Sequence, residues 1–407
     1  MGSFNLSSLP CMENLFEDTS VDVSVEVGDA AEVAEETTEA AEVATDVQED
    51  TAEASDTETT TELLFQHIDT LINRKMYLET YGYDRRFAML AAQDGIDYIR
   101  GGAPAVESVN DVSSANDSYT IAALEGVGDA LKSAWEWIKK VLGKIASWVG
   151  RFFRSVVMMF SSLENNIIRL KRLENESSWD SERAEKASGD VPESKSEMEK
   201  AMNEAFDKNK TNSHGFSGST GWSGVIDALQ MKYKRAIEWS TSDMIHTPAR
   251  AEGSAIVNSA ANAYDKLSED KDKVKEDKEA TKKITEDMKK VADKKTSISN
   301  ATAKSVSEWL GLATAICKSK MSINNLGDTA AKAASTAKKQ AEKYSALNST
   351  DGRASTEISK SYRLITTYLS YLQSFSAKYC GALIKIANWL VKGSAKVLGA
   401  CYKKNKS

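Results

Sequence analysis

From Trp135 to Phe160 the apolar residues Trp135, Ile138, Leu142, Ile145, Val149, Phe152, Val156 and Phe160 follow one another at steps of three or four. An α-helix brings residues at that spacing onto one face, so the run predicts a long amphipathic helix from about Asp129 to about Leu173. Lys132, Lys139, Lys140, Lys144, Arg151 and Arg154 fall mostly off the apolar face. Gly143 and Gly150 each weaken the helix by ~1 kcal/mol relative to Ala, and both tolerate close packing against a partner.

The same spacing recurs along the chain. Leu64, Ile68, Leu71, Ile72 and Met76 predict one helix, and a second over 84–99 ends at Gly101-Gly102. Val225, Leu229, Tyr233 and Ile237 predict another over 223–240. After Pro248 a long charged segment keeps a thin apolar stripe of Leu267, Val274, Ile284, Met288 and Val291. The spacings Glu279–Lys283 and Glu286–Lys290 support it as a solvated helix with one docking face. Residues 303–321, 328–347, 353–379 and 380–403 also read as helix, whereas 101–120 read as a linker, 176–222 as polar, and "TNSHGFSGSTGWSG" as a loop. The chain has four prolines, none beyond Pro248, and no alternating strand pattern persists. The expected class is all-α, a multi-helix body with long amphipathic and charged helices.

Charge divides this chain unevenly. Residues 1–125 hold 27 Asp+Glu against 5 Lys+Arg, a net of −22, and the remainder holds 33 against 47, a net of +14. Within the acidic part, residues 19–62 contain no Lys, Arg or aromatic residue. Low hydropathy with high net charge predicts disorder there. Three regions follow: a disordered acidic segment over 1–62, a stretch of short helices and linker over 63–125, and a basic all-α body over 126–407. Such an asymmetry points to a body that faces polyanions.

Chemistry-bearing constellations are scarce. Cys11, Cys317, Cys380 and Cys401 form no CxxC pair, and His67, His214 and His246 are the only histidines, so neither a metal site nor a cofactor is expected and the thiols read as reduced. There is no GxSxG, Walker A, HExxH or GxGxxG pattern, and "GFSGSTG" at 215–221 lacks both the lysine and the preceding strand of a phosphate cradle. The expectation is a protein that is not an enzyme. No signal peptide is visible. The most apolar stretches, 141–160 and 379–401, are interrupted by Lys144, Arg151 and Arg154 and by Lys385, Lys392 and Lys396, so no spanning helix is expected.

Two basic sets remain as candidate nucleic-acid contacts. One is Lys139, Lys140, Lys144, Arg151 and Arg154 on the Trp-rich helix. The other is Lys385, Lys392, Lys396 and Lys403, spaced 7, 4 and 7 so that four ammonium groups share one helical stripe. The Trp-rich helix has three readings, which are not exclusive: a core helix with a solvated basic face, an interfacial membrane helix, and a phosphate-neutralising helix.

The charge changes sign at Ala123, Leu124, Glu125 and Gly126. A small-x-Glu triplet before a small residue is a weak motif, and Ala105-Val106-Glu107, Ser162-Leu163-Glu164 and Ser355-Thr356-Glu357 also fit its small-x-Glu part. Its position beyond a linker favours proteolysis at Glu125–Gly126. With the acidic N-terminal part and the Lys-rich all-α remainder opening on "GDALKSAWEWIKKVLGKI", the overall plan resembles the internal head proteins of giant (phiKZ-like) tailed bacteriophages. That resemblance implies a virion structural protein inside the capsid, cut by the prohead protease after Glu125, retained with packaged phage DNA and other head proteins, and in some cases ejected into the host. Assembly would take place in the host cytoplasm. Two alternatives stand beside it: a membrane-active amphipathic effector or ejection protein, and a capsid-assembly scaffold whose acidic segment makes the contacts.

Overall fold

The long helix read around Trp135 is longer still. In the computed structural model, which describes residues 28–86, 116–210, 219–241, 271–345 and 352–405, it spans Asn116–Glu176 and is the second of nine helices among the described residues. In order these are α1 (Gly28–Tyr81), α2 (Asn116–Glu176), α3 (Ser181–Lys186), α4 (Lys195–Asp207), α5 (Gly224–Thr241), α6 (Lys271–Val291), α7 (Ser305–Cys317), α8 (Lys320–Ser345) and α9 (Gly352–Cys401). Four three-residue strands, β1 (Ser177–Trp179), β2 (Asp190–Pro192), β3 (Lys295–Ser297) and β4 (Tyr402–Lys404), complete the described structure with one 3-10 turn at Ile298–Asn300. The protein is all-α.

The buried positions of α2 keep the three-four step from Trp135 and Ile138 through Met159 and Leu163 to Asn166 and Leu170. That repeat has the spacing of a coiled-coil seam and lines one long buried face of α2. Trp148 stacks on Phe152 with ring centroids 4.5 Å apart. Helix α8 answers with small residues: Ala330, Ala333, Ala334, Ala337 and Ala341 are all buried, so its backbone comes close to α2 and α5. Gly327 is required at the closest point, because a Cβ there would lie 2.8 Å from that of Phe153.

Helix α9 is the hub and contacts α1, α2, α5, α6, α7 and α8. The boundary expected at Cys380 is absent, and one helix runs through Gly381. The polar stretch over 176–222 contains two further helices. Asp180 caps α3 by accepting from the Glu182 and Arg183 amides, and Ser194 caps α4 by accepting from that of Glu197. Met198, Met202 and Phe206 then bury one face of α4. The ladders are antiparallel. β1–β4 fastens the C-terminal end beside the end of α2, and β2–β3 forms a clasp over α9.

The largest departure from expectation is in the acidic part. Residues 1–27 lie outside the described residues, but α1 is helical from Gly28, and from Asp50 onward it packs on α2 and α9. Asp50, Ala54, Thr57, Thr61, Phe65, Ile68 and Ile72 form its buried stripe. Ala and Glu are strong helix formers. The buried Thr hydroxyls bond within the helix, Thr57 to the Glu53 carbonyl at 2.8 Å and Thr61 to that of Thr57 at 2.6 Å. Their methyl groups are then left to pack, so the Asp50–Thr61 part of the stripe, with Ala54 as its one apolar residue, still docks.

Neither expected region boundary coincides with a break. Position 62/63 lies inside α1 and 125/126 inside α2, while Ala54, Phe65, Ile68 and Ile72 share the main core of the body. Of the expected helix over 84–99 and the linker over 101–120, residues 87–115 lie outside the described residues and 116–120 are the first turns of α2.

Candidate polyanion-binding face

Opposite its buried seam, α2 exposes Trp137, Lys140, Lys144, Ser147, Arg151, Arg154 and Met158, again at alternating steps of three and four. One face of one helix therefore carries four cations bracketed by two large apolar side chains, Trp137 at 51% and Met158 at 65% exposure. Lys140 Nζ sits 5.7 Å from the Trp137 ring centroid, a cation–π contact. Lys139 lies off this line and pairs with Glu136. Arg154 turns back to the Gly150 carbonyl.

Arg151 is not free for an outside anion. It reaches α1, at 3.3 Å from Asp50 and 2.5 Å from Glu53. Beside it the indole of Trp148 donates to the Asp50 carbonyl at 2.8 Å. Further along α1 the pattern repeats with cations that the sequence reading did not select. Lys278 of α6 pairs with Glu58 at 2.7 Å and also with Glu62, and Arg363 of α9 pairs with Asp69. Burial lowers the Lys278 pKa, but the hydrogen bonds its ammonium donates to Glu58 and Glu62 outweigh that and leave it above the ordinary value. Between α1, α6 and α9 lies a cavity of about 810 Å³, lined on the body side by Lys275, Lys278, Lys282 and Arg363 and on the α1 side by Glu62 and Asp69.

These contacts fix the direction of α1. Asp50 lies at Trp148, while Leu78 and Tyr83 pack on Ala123 and Val127, so α1 runs antiparallel to the first half of α2. With 8 acidic and 2 basic residues over 49–81, that stretch of α1 lays a strip of negative charge across a basic body.

The tetrapeptide Ala123–Gly126 is in the third turn of α2, not in a linker. Ala123 and Val127 are buried in a small cluster with Leu78 and Tyr83, and Leu124 packs partly against it. Cleavage at Glu125–Gly126 therefore requires the first turns of α2 to unwind.

Lys385, Lys392 and Lys396 do share one side of α9, but that side is partly covered. Lys385 pairs with Asp293 at 2.9 Å, Lys396 donates to the Asp190 carbonyl at 3.4 Å, and Lys392 is half-buried, its pKa lowered by burial. The β2–β3 clasp crosses there, and Gly393 admits it, since a Cβ would fall 2.2 Å from Pro192 Cδ. Lys403 is exposed in β4 opposite Ser178. The two candidate basic sets are not brought together. Lys403 sits at the far end of α2, 22 residues or about 30 Å along the axis from Arg154.

One buried polar cluster lies apart from both sets. Lys232 of α5 and Asp277 of α6 pair at 2.5 Å with both side chains fully buried, and the Tyr371 hydroxyl of α9 also donates to Asp277. Burial lowers the Lys232 pKa to about 8, against the pull of Asp277, and raises that of Asp277. Cys317 and Cys380 are buried thiols whose pKa burial raises to about 12, so neither is a thiolate at neutral pH. Among the described residues no helix is long and apolar enough to cross a membrane. No protein-family model, no curated protein and no solved structure matches the chain.

Proposed function

We propose that this chain is an internal structural protein of a phage head, packaged with the genome, whose basic helical body binds DNA without sequence preference after prohead-protease cleavage following Glu125. The observation that carries this reading is the acidic helix α1 ion-paired to Arg151, Lys278 and Arg363 of the body. An anionic helix seated on those cations stands where phosphate would otherwise bind. Loss of residues 1–125 turns a net charge of −8 into +14. A polycation of that kind gains affinity by releasing counterions from the duplex. The cut needs only a helix end to fray, and the turns to be unwound are held by the small cluster of Leu78, Tyr83, Ala123 and Val127 rather than by the main core.

Two measurements test it. The 126–407 fragment is expected to bind duplex DNA far more tightly than the full chain at low salt, with log K falling linearly against log salt. Equal binding by the two forms overturns the covering role of α1. The particle-associated protein is expected to begin at Gly126, and an intact Met1 overturns the cleavage.

A membrane-surface reading is favoured by one observation, the exposure of Trp137 and Met158 on the basic stripe. The larger apolar face of α2, from Trp135 to Phe160, is buried and is not available to lipid without unfolding. Binding of the full chain to anionic vesicles, lost on Trp137→Ala, would favour this reading over DNA.

A further inference from the structure

The contacts of α1 are those of a docked ligand as much as of a helix in a fold. Its middle stretch is held by side chains of α2, α6 and α9: Trp148 and Arg151, then Lys278, then Arg363. Helix α1 ends at Tyr81 and α2 begins at Asn116, so 34 residues of sequence lie between the docked helix and the helix it docks on.

We infer that the groove between α2, α6 and α9 is a receptor site for an acidic amphipathic helix, and that it holds α1 without covalent help once the chain is cut. Three features define what the groove accepts. Its floor takes small residues at one end and bulky ones at the other, Ala54, Thr57 and Thr61 followed by Phe65, Ile68 and Ile72. Its edges carry cations at different heights, Arg151 on the α2 side and Lys278 and Arg363 on the α6 and α9 side, so the ligand helix needs acids flanking its buried stripe on both sides. The Trp148 indole donating to the Asp50 carbonyl fixes the register. Phe65 gains a further contact, with the Arg363 guanidinium 6.0 Å from its ring centroid. Apolar burial, register and charge thus act together, and none of them depends on the connection to α2.

The consequence is a two-step release. Cutting the chain anywhere between α1 and the body leaves a complex, and the basic groove opens only when a competing polyanion displaces the helix. The second step rests on the DNA-binding reading above, whereas the first does not.

The test uses the full chain carrying a site-specific protease sequence inserted between residues 101 and 110, nicked in vitro and sized by gel filtration and native mass spectrometry. At low ionic strength the two fragments are expected to travel as a single one-to-one complex. Separation on nicking alone overturns the inference. Lys278→Glu combined with Arg363→Glu is expected to weaken retention by about tenfold, the scale of two or three exposed ion pairs. The far-ultraviolet circular dichroism of this half-exposed pair of variants should stay unchanged. Retention equal to that of the unaltered chain overturns the role assigned to these cations. Duplex DNA is then titrated into the nicked complex, and displacement of the α1 fragment is expected. Retention at saturating DNA leaves the receptor site standing and overturns the DNA-unmasking reading, so the two fail separately.

Discussion

Helices α1 and α2 lie side by side in opposite directions, yet they are attached to the protein by different means. Helix α2 buries Trp135, Trp148, Phe152 and Phe160 at 2% exposure or less, and its neighbours close around that seam. Helix α1 buries Ala54, Thr57 and Thr61 over its first docked turns and acquires bulky residues only from Phe65 onward. Burying a large apolar side chain stabilises by about 1.5–3 kcal/mol, whereas an exposed ion pair contributes about 0–1 kcal/mol. The first attachment is therefore built into the fold. The second combines a short apolar stretch with salt-sensitive charges, and it can be undone without melting the rest.

The sharpest way to break this comparison is to make the same cut in both helices. Phe152→Ala, in the α2 seam, is expected to lower global stability by about 3–5 kcal/mol, measured as a shift of the urea unfolding midpoint. Phe65→Ala is expected to act locally. Hydrogen exchange over residues 49–81 should accelerate, while the global midpoint moves much less than for Phe152→Ala. If the two variants shift the midpoint equally, α1 is an integral layer of the core and not a detachable cover.

The difference between the helices also explains what the sequence disclosed. The steps of three and four predict a helix over 223–240, and α5 spans Gly224–Thr241, because bulky apolar residues announce a buried face wherever they fall at that spacing. The stretch of α1 from Asp50 to Thr61 gives no such signal. Its buried positions are Asp, Ala and Thr, which read as solvated polar chain until their spacing is compared with the Phe65–Ile72 stripe that continues it. The acidic residues read as repelling one another because their partners, Arg151, Lys278 and Arg363, lie 98 to 294 residues away in the chain. The C-terminal lysines show the converse. Their spacing does place Lys385, Lys392 and Lys396 on one side of α9, but a clasp made from residues 190–192 and 295–297 crosses that side, and nothing local to α9 encodes it. The β1–β4 pairing, which joins Ser177 to Lys404, is equally silent in local sequence.

Two lysines carry the comparison into pH. Lys232 is in the core, where burial has lowered its pKa to about 8 from an ordinary 10.5. Between those values the unfolded chain holds a proton that the folded protein has released, so this site adds stability as pH rises from about 8 to about 10.5. Lys232→Met, which removes the titrating group, is expected to flatten that part of the unfolding free energy profile measured in urea. It leaves Asp277 buried with only Tyr371 as a partner, so overall stability falls as well. A wild-type profile without the rise would show that the pair does not titrate through Lys232.

Lys278 has the opposite sign. Its carboxylate partners on α1 raise its pKa above the ordinary lysine value of 10.5, despite partial burial. The docked protein thus keeps a proton that the undocked one loses, and the contribution of this site is complete below 10.5 and disappears as pH climbs through the raised value. Its size is small, because the side chain is 40% exposed and solvent screens the pair. Exchange protection over residues 49–81 is expected to decline above pH ~10.5 while that of residues 135–170 holds. Lys278→Met should remove most of the decline by removing the group that titrates. Loss of protection in both helices together would mean that α1 and α2 open as one unit, and the contrast between a built-in helix and a docked one would fail at its most sensitive point.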